Sequence, residues 1–347
     1  MNKKAFGTIT SGQEASLYTI SNSKGMSVAV TDFGVTIVSI FVKDKEGNVR
    51  DVVLGYDDVS GYVKNLCYFG ATVGRNCNRI SDAKITIDGK VYELENNDRG
   101  NNLHSGTHSL ARVIWSVVEQ TDSRIVFEYK SPDLEEGYPG NATVRVTVEV
   151  TEDNDFAISY YAVADQKTVF NMTNHCYFNL NGHASGKVLD QMLCINASGY
   201  TPVQNEKSIP TGEILPVEGT PFDFRSEKPI GQDIAADHEQ IGYSGGYDHN
   251  FAIDRTGEGM EHAAYAYAKE SGIRMDVYTD CLGVQLYSAN GIAGQVGKGN
   301  AAYPDQGAFC LETQYFPNAI NEPNFVTPVF DAGVPYESKT LYRFSIE

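Results

Sequence analysis

Ala142-Thr143-Val144-Arg145-Val146-Thr147-Val148-Glu149-Val150 alternates apolar and polar residues without a break. Successive side chains of an extended chain point to opposite faces. Val144, Val146, Val148 and Val150 therefore line one face, and Thr143, Arg145, Thr147 and Glu149 the other. The polar stretch Thr151-Glu152-Asp153-Asn154-Asp155 turns the chain into a second run, Phe156 to Ala164. Working outward, Val35 to Val42 ends at Asp44-Lys45-Glu46-Gly47, and Val49 to Leu54 follows. Lys84-Ile85-Thr86-Ile87 and Val91-Tyr92-Glu93-Leu94 flank Asp88-Gly89, a two-residue turn whose positive φ angles suit the strand twist. Further strands are expected at Ile273 to Thr279, Val284 to Ser288 and Leu341 to Ile346. Helix signals are few. His262 to Lys269 is Ala-rich, but it is short and leads through Ser271-Gly272 into another strand, so it reads as half of a hairpin. With 33 Gly, 21 Tyr and short strands throughout, the fold class is all-β, a large antiparallel β-sandwich. No linker, low-complexity tract or internal repeat divides residues 1–347, which read as one domain.

The 347 residues suffice for a large core, and 41% hydrophobic with 21% charged residues is ordinary globular composition. Lys and Arg number 27 against 45 Asp and Glu, a net charge of −18. With no basic block or stripe, nucleic acid is not an expected partner, and the charge repels anionic membrane surfaces. It says nothing against a neutral small molecule. The six cysteines, Cys67, Cys77, Cys176, Cys194, Cys281 and Cys310, are scattered without a C-x-x-C pair and read as reduced thiols. Met1 to Gly7 begins basic but has no apolar segment behind it, and no run approaches the ~20 apolar residues of a membrane span. The expected setting is the cytoplasm.

Phe309-Cys310-Leu311-Glu312-Thr313-Gln314 places one carboxylate in the middle of a largely apolar strand. At period two Cys310, Glu312 and Gln314 share a face. An apolar setting pushes a carboxyl pKa upward, which makes Glu312 a candidate proton-transfer group; a buried ion pair would look the same in sequence. Thr173-Asn174-His175-Cys176-Tyr177-Phe178-Asn179-Leu180 sets His175 among apolar and amide side chains, where it is either a proton donor or a satisfied core histidine. Gly245-Gly246-Tyr247-Asp248-His249-Asn250-Phe251 holds Asp248 where a Gly-rich turn enters a strand. Val73-Gly74-Arg75-Asn76-Cys77-Asn78-Arg79-Ile80 offers two arginines and two amides suited to recognising hydroxyls. Gln285 and Tyr287 share a strand face. His104 and His108 stand at i and i+4, a zinc spacing on a helix, but Ser, Gly and Asn crowd the segment. P-loop, dinucleotide and nucleophile-elbow motifs are absent from the sequence.

In order along the chain, these segments resemble the galactose mutarotase (aldose 1-epimerase) family. The resemblance rests on Phe69-Gly70, Gly74-Arg75 with Asn78-Arg79-Ile80, Asn102-Leu103-His104, and Ser131-Pro132-Asp133 with Glu136 to Gly140. It continues through Thr173 to Leu180, Ile209-Pro210-Thr211-Gly212-Glu213, Thr220-Pro221-Phe222-Asp223, Gly246 to Phe251, Gly283 to Tyr287, and Leu311-Glu312-Thr313-Gln314. It spans nearly the whole chain. It implies a large β-sandwich that interconverts the α and β anomers of free aldoses such as galactose and glucose. It further implies Glu312 as general base, His175 as general acid, and Asn78, Arg79, His104, Asp248, Gln285 and Tyr287 as sugar-binding residues. Neither metal nor organic cofactor is expected, and the protein is expected to act as a monomer or homodimer.

Two departures stand out. The family usually has glycine after the motif histidine, where this chain has Ser105. It usually reads Gly-Phe-Asp-Lys where this chain has Ser109-Leu110-Ala111-Arg112 before Trp115. Both put the rim near His104, and so the preferred sugar, in question. Competing readings are a non-catalytic sugar-binding module, a hexose-phosphate epimerase on the same scaffold, and a glycosidase using Glu312 with Asp248.

Overall fold

A computed structural model of the chain describes residues 2–64 and 67–347; Met1, Asn65 and Leu66 lie outside the described residues. The Ala142–Val150 strand has the burial that its alternation requires: each valine is buried, and the residues between them are half-buried or exposed. It pairs antiparallel with Asp155–Ala164 across the predicted turn. These two strands belong to a nine-stranded sheet. Within it, Tyr336–Ile346 bridges Asp155–Ala164 on one side and Ile273–Thr279 on the other, joining sequence-distant halves of the chain. The Ala-rich segment forms the strand Glu261–Ala268, hairpinned to Ile273–Thr279 as expected. The Asp88-Gly89 hairpin also forms, between Lys84–Ile87 and Lys90–Glu93.

The C-terminal strand starts five residues earlier than its sequence pattern suggests, at Tyr336. Its inward positions there are polar. Ser338 shares a hydrogen bond with the Tyr336 hydroxyl, and Thr340 meets Thr313 Oγ1 at 2.5 Å. Satisfied hydroxyls replace the apolar side chains that mark a core-facing strand, so the alternation is hidden.

A second, five-stranded sheet contains Asp248–Ala252, Gly283–Tyr287 and Cys310–Gln314 side by side. An N-terminal five-stranded meander runs from Asn2–Thr8 to Val49–Asp51. One hydrophobic cluster takes in residues of all three sheets, Val144, Val148 and Met275 together with Ile37, Ile40, Val284 and Leu311. This is an all-β antiparallel sandwich. Cys310–Gln314 is buried along its whole length. Leu311 and Thr313 face the nine-stranded sheet, where Tyr342 Oη donates to the Leu311 carbonyl at 3.1 Å. The opposite face is left to Cys310, Glu312 and Gln314.

Candidate active site

Register decides what gathers on that free face. Gln285 lies opposite Glu312, and Tyr287 lies opposite both Cys310 and Asp248. Directly opposed residues of antiparallel strands share a face. Three strands thus carry Glu312, Gln285, Tyr287 and Asp248 onto one rigid floor.

The walls are loops pinned by backbone hydrogen bonds. His175 follows the short strand Thr173–Asn174; its N–H donates to the Ala71 carbonyl and its carbonyl accepts from Gly70 N–H, both at 2.9 Å. The Asn174 amide donates to the Gly70 carbonyl at 2.9 Å, tightening the same junction. His104 follows Asn102–Leu103, which pairs with Arg79–Ile80. It is clasped to Asn78 twice: its N–H donates to the Asn78 carbonyl, and Asn78 N–H donates to His104 Nδ1, each at 3.1 Å. The second bond occupies the Nδ1 lone pair, so the neutral ring carries its proton on Nε2.

Asn78, Arg79, His104, His175, Asp248, Tyr287 and Glu312 all line one cavity of about 220 Å³. Of the eight sequence-predicted residues only Gln285 is absent from the lining. It sits beneath Asp248 and donates to its Oδ1 at 2.7 Å. The same carboxylate meets Arg79 Nη1 at 3.4 Å, and Arg79 Nε pairs with Asp98 at 2.8 Å. Arg79 is thus held between two carboxylates, and Asp248 is held as an acceptor by two donors.

The sequence reading missed Cys67, Tyr68, Leu103, Tyr177 and Gly291 in the lining, and Asp98 behind Arg79. Tyr177 had a signal: it stands two residues from His175, and their rings stack with centroids 5.0 Å apart. Tyr68 had none. Its backbone turns at φ 58, and its ring packs 4.8 Å from that of His104. The Arg112 guanidinium covers the same ring at 5.5 Å.

His175 Nε2 and Glu312 Oε1 are 3.6 Å apart, with side chains only 7% and 3% exposed. Glu312 Oε2 and His175 Nδ1 have no hydrogen-bond partner among the described residues. Burial pushes the Glu312 carboxyl well above the usual carboxylate range, and the nearby Asp248 charge adds to the shift. Burial pulls the His175 imidazole down to about 4. His104 is held well below the ordinary histidine range by burial and by the neighbouring His175 and Arg79. Between the His175 range near 4 and the raised Glu312 range, the pair therefore holds one proton.

His104, His175 and Glu312 also bring one potential metal-ligand atom each within 4.8 Å of one another. The Asn78 bond opposes that use, because the cavity-facing His104 Nε2 carries the ring proton while a metal needs a bare nitrogen. His108 is exposed and does not join this group, so the i, i+4 zinc spacing has no counterpart in the fold.

Ser105 turns away from the cavity. Fully buried at φ 64, its hydroxyl accepts from Asn76 N–H at 2.8 Å and donates to the Asn76 carbonyl at 2.9 Å. Leu110 and Ala111 are buried behind the wall, and Arg112 reaches back to the Tyr62 and Val63 carbonyls at 3.0 Å. Neither departure adds a side chain to the cavity lining.

The sequence and the fold have counterparts among known proteins. A family profile described as Aldose 1-epimerase matches residues 16–343. The galactose mutarotase of Rattus norvegicus is 38% identical over 347 residues, covering all of this chain and 99% of the relative. The aldose 1-epimerase of Escherichia coli (strain K12) is 35% identical over 338 residues, 97% of each chain. Among solved structures, the aldose epimerase homologue of C. elegans superposes with a TM-score of 0.88 at 28% identity, covering 96% of this chain and 99% of that one. The galactose 1-epimerase of Lactobacillus acidophilus gives 0.86 at 25% identity, over 99% and 98%. By its full-length match, its fold and the relatives it resembles, the chain belongs to the aldose 1-epimerase family, isomerases acting on carbohydrates.

Proposed function

We propose that this aldose 1-epimerase interconverts the α and β anomers of free hexoses such as galactose and glucose, with Glu312 as general base and His175 as general acid. The observation that carries the assignment is the buried 3.6 Å approach of His175 to Glu312 in a cavity otherwise lined by hydroxyl-binding groups. Glu312 takes the proton from the C1 hydroxyl while His175 gives one to the ring oxygen. The C1–O5 electron pair goes to the ring oxygen and O1 becomes the aldehyde oxygen. Rotation about C1–C2 turns the other carbonyl face to the ring hydroxyl, and closure returns both protons. Each proton transfer contributes about 10²–10⁴-fold. Asp248, Arg79, Asn78 and the His104 Nε2–H hold the hydroxyls, and the Tyr287 ring covers an apolar sugar face. Gln285 acts through Asp248. No step calls on a metal or organic cofactor.

The ionised-Glu312, protonated-His175 form and the neutral form contain the same number of protons. Their balance is therefore set by the site and its sugar, not by pH.

Arg79, the one arginine in the lining, is paired with Asp98 and Asp248, which favours a neutral sugar over a hexose phosphate. Asp248 sits between two donors and has no role as a glycosidase acid. Retention of both proton-transfer groups favours an enzyme over a non-catalytic sugar-binding module. We take residues 1–347 as one aldose 1-epimerase-like domain that works as a monomer or homodimer. We place it in the cytoplasm, a reading supported by cysteines that form no disulfide among the described residues. Among the described residues no helix is long and apolar enough to cross a membrane. Polarimetry on fresh α-D-glucose and α-D-galactose tests the function: optical rotation should decay faster than in buffer. Decay at the buffer rate across a panel of aldoses would contradict it.

A further inference from the structure

Two buried groups beneath the sugar cavity have no part in the chemistry above. Gln314 is fully buried and leaves its strand on the same face as Glu312, two residues earlier. Cys77, equally buried, comes from the Asn76–Asn78 turn on the opposite wall. The Cys77 thiol donates to Gln314 Oε1 at 3.2 Å. Gln314 Nε2 donates to Gln285 Oε1 at 3.4 Å, and Gln285 Nε2 donates to Asp248 Oδ1 at 2.7 Å.

The four groups form a chain with one direction. The Asp248 carboxylate only accepts, so Gln285 must offer it an N–H. The Gln285 oxygen then faces Gln314, which must also offer an N–H. The Gln314 oxygen in turn needs a donor, and Cys77 supplies it. Burial holds the Cys77 thiol well above its ordinary pKa, so it stays a donor. Flipping either amide alone would set oxygen against oxygen at one of its ends and donor against donor at the other, in a fully buried setting where such mismatches are costly.

We propose that Gln314 and Cys77 are positioning residues: they fix which end of the Gln285 amide faces Asp248, and through it the orientation of the carboxylate that holds the sugar. The proposal rests on Asp248 being a sugar ligand.

The test is a double-mutant cycle read by polarimetric kinetics. Methionine replaces glutamine at similar size without its amide. Gln314→Met should raise KM about five- to tenfold with kcat nearly unchanged, since the lost contact serves ring and transition state alike. In a Gln285→Met background the same substitution should have almost no further effect, because the relay is already cut. Cys77→Ala should raise KM in the same sense, and Cys77→Ser, which keeps a donor, should restore it. Equal effects of Gln314→Met in both backgrounds would overturn the relay, as would a Cys77→Ser protein as impaired as Cys77→Ala. If Gln314→Met fails to fold, the two Cys77 variants decide. A wild-type protein without mutarotation would instead overturn the epimerase reading, and the same cycle read in sugar affinity would then judge the relay.

Discussion

His175 Nε2 lies 3.6 Å from Glu312 Oε1, and the two groups are displaced in opposite senses from their ordinary pKa values by the same cause, burial. A carboxyl pushed up and an imidazole pushed down leave the pair with one proton between their two ranges. The exchange of an anomeric proton for a ring-oxygen proton needs one group loaded and the other empty. Burial favours the proton on Glu312, and the assigned roles require it to pass to His175 within the pair without changing the pair's proton count.

The first consequence is the pH profile. Below about 4, where His175 gains a proton while Glu312 keeps its own, the pair holds two and has no base. Above the raised Glu312 range it holds none and has no acid. The kcat/KM for mutarotation, measured from pH 3.5 to 9 at about one-unit steps, should therefore fall on the acid side near 4 and hold above it until the raised Glu312 range is reached. An acid limb centred near 6.5, the ordinary value, would contradict the burial of His175.

Stability should show the cost of the same arrangement. A carboxyl whose folded pKa is raised holds its proton in the native state after the unfolded chain has released it. Stability therefore falls as pH rises from about 4.3 toward the folded value. Glu312→Gln removes that loss and should make the protein more stable by about 1–3 kcal/mol at pH 8, with the gain shrinking toward pH 4. Urea unfolding at the two pH values checks both size and sign. A destabilised variant at pH 8 would mean that Glu312 is a structural ion-pair partner.

Asp98 should act on binding. It meets Arg79 Nε at 2.8 Å, with side chains 16% and 11% exposed respectively. Asp98→Asn keeps an acceptor but loses its charge, and Arg79 is then held mainly by Asp248. KM should rise about three- to tenfold with kcat within about twofold, a change near 1 kcal/mol. An unchanged KM would show that Asp248 alone fixes Arg79.

Much of this site was legible in the sequence because its parts obey local rules. Period two in Phe309 to Gln314 already set Glu312 and Gln314 on one face, away from Leu311. Ala142 to Val150 announced the sheet, since its polar and apolar faces are both clean. Asp98 was hidden because its partner Arg79 sits across a loop with no periodicity. Tyr68 was hidden because a positive φ, not a pattern, turns its ring onto His104. Seven predicted residues meet in the cavity lining, while Gln285 lies outside it, bonded to Asp248, a distinction that strand periodicity cannot draw.

Ser105 should not decide the choice of sugar. Its hydroxyl binds both backbone groups of Asn76 and its side chain does not line the cavity. Ser105→Gly loses two hydrogen bonds but relieves a left-handed backbone, so stability should change by no more than about 1 kcal/mol. The ratio of kcat/KM for galactose over glucose should hold within about twofold. A ratio moved tenfold would show that the segment after His104 reads the sugar.

The most direct test of the central claim is the polarimetric rate of Glu312→Gln and His175→Asn beside the wild type, with folding checked by circular dichroism. Each variant should stay folded and lose about 10²–10⁴-fold in kcat, with a far smaller change in KM. A folded Glu312→Gln protein with wild-type kcat would contradict the assignment of Glu312 as the base.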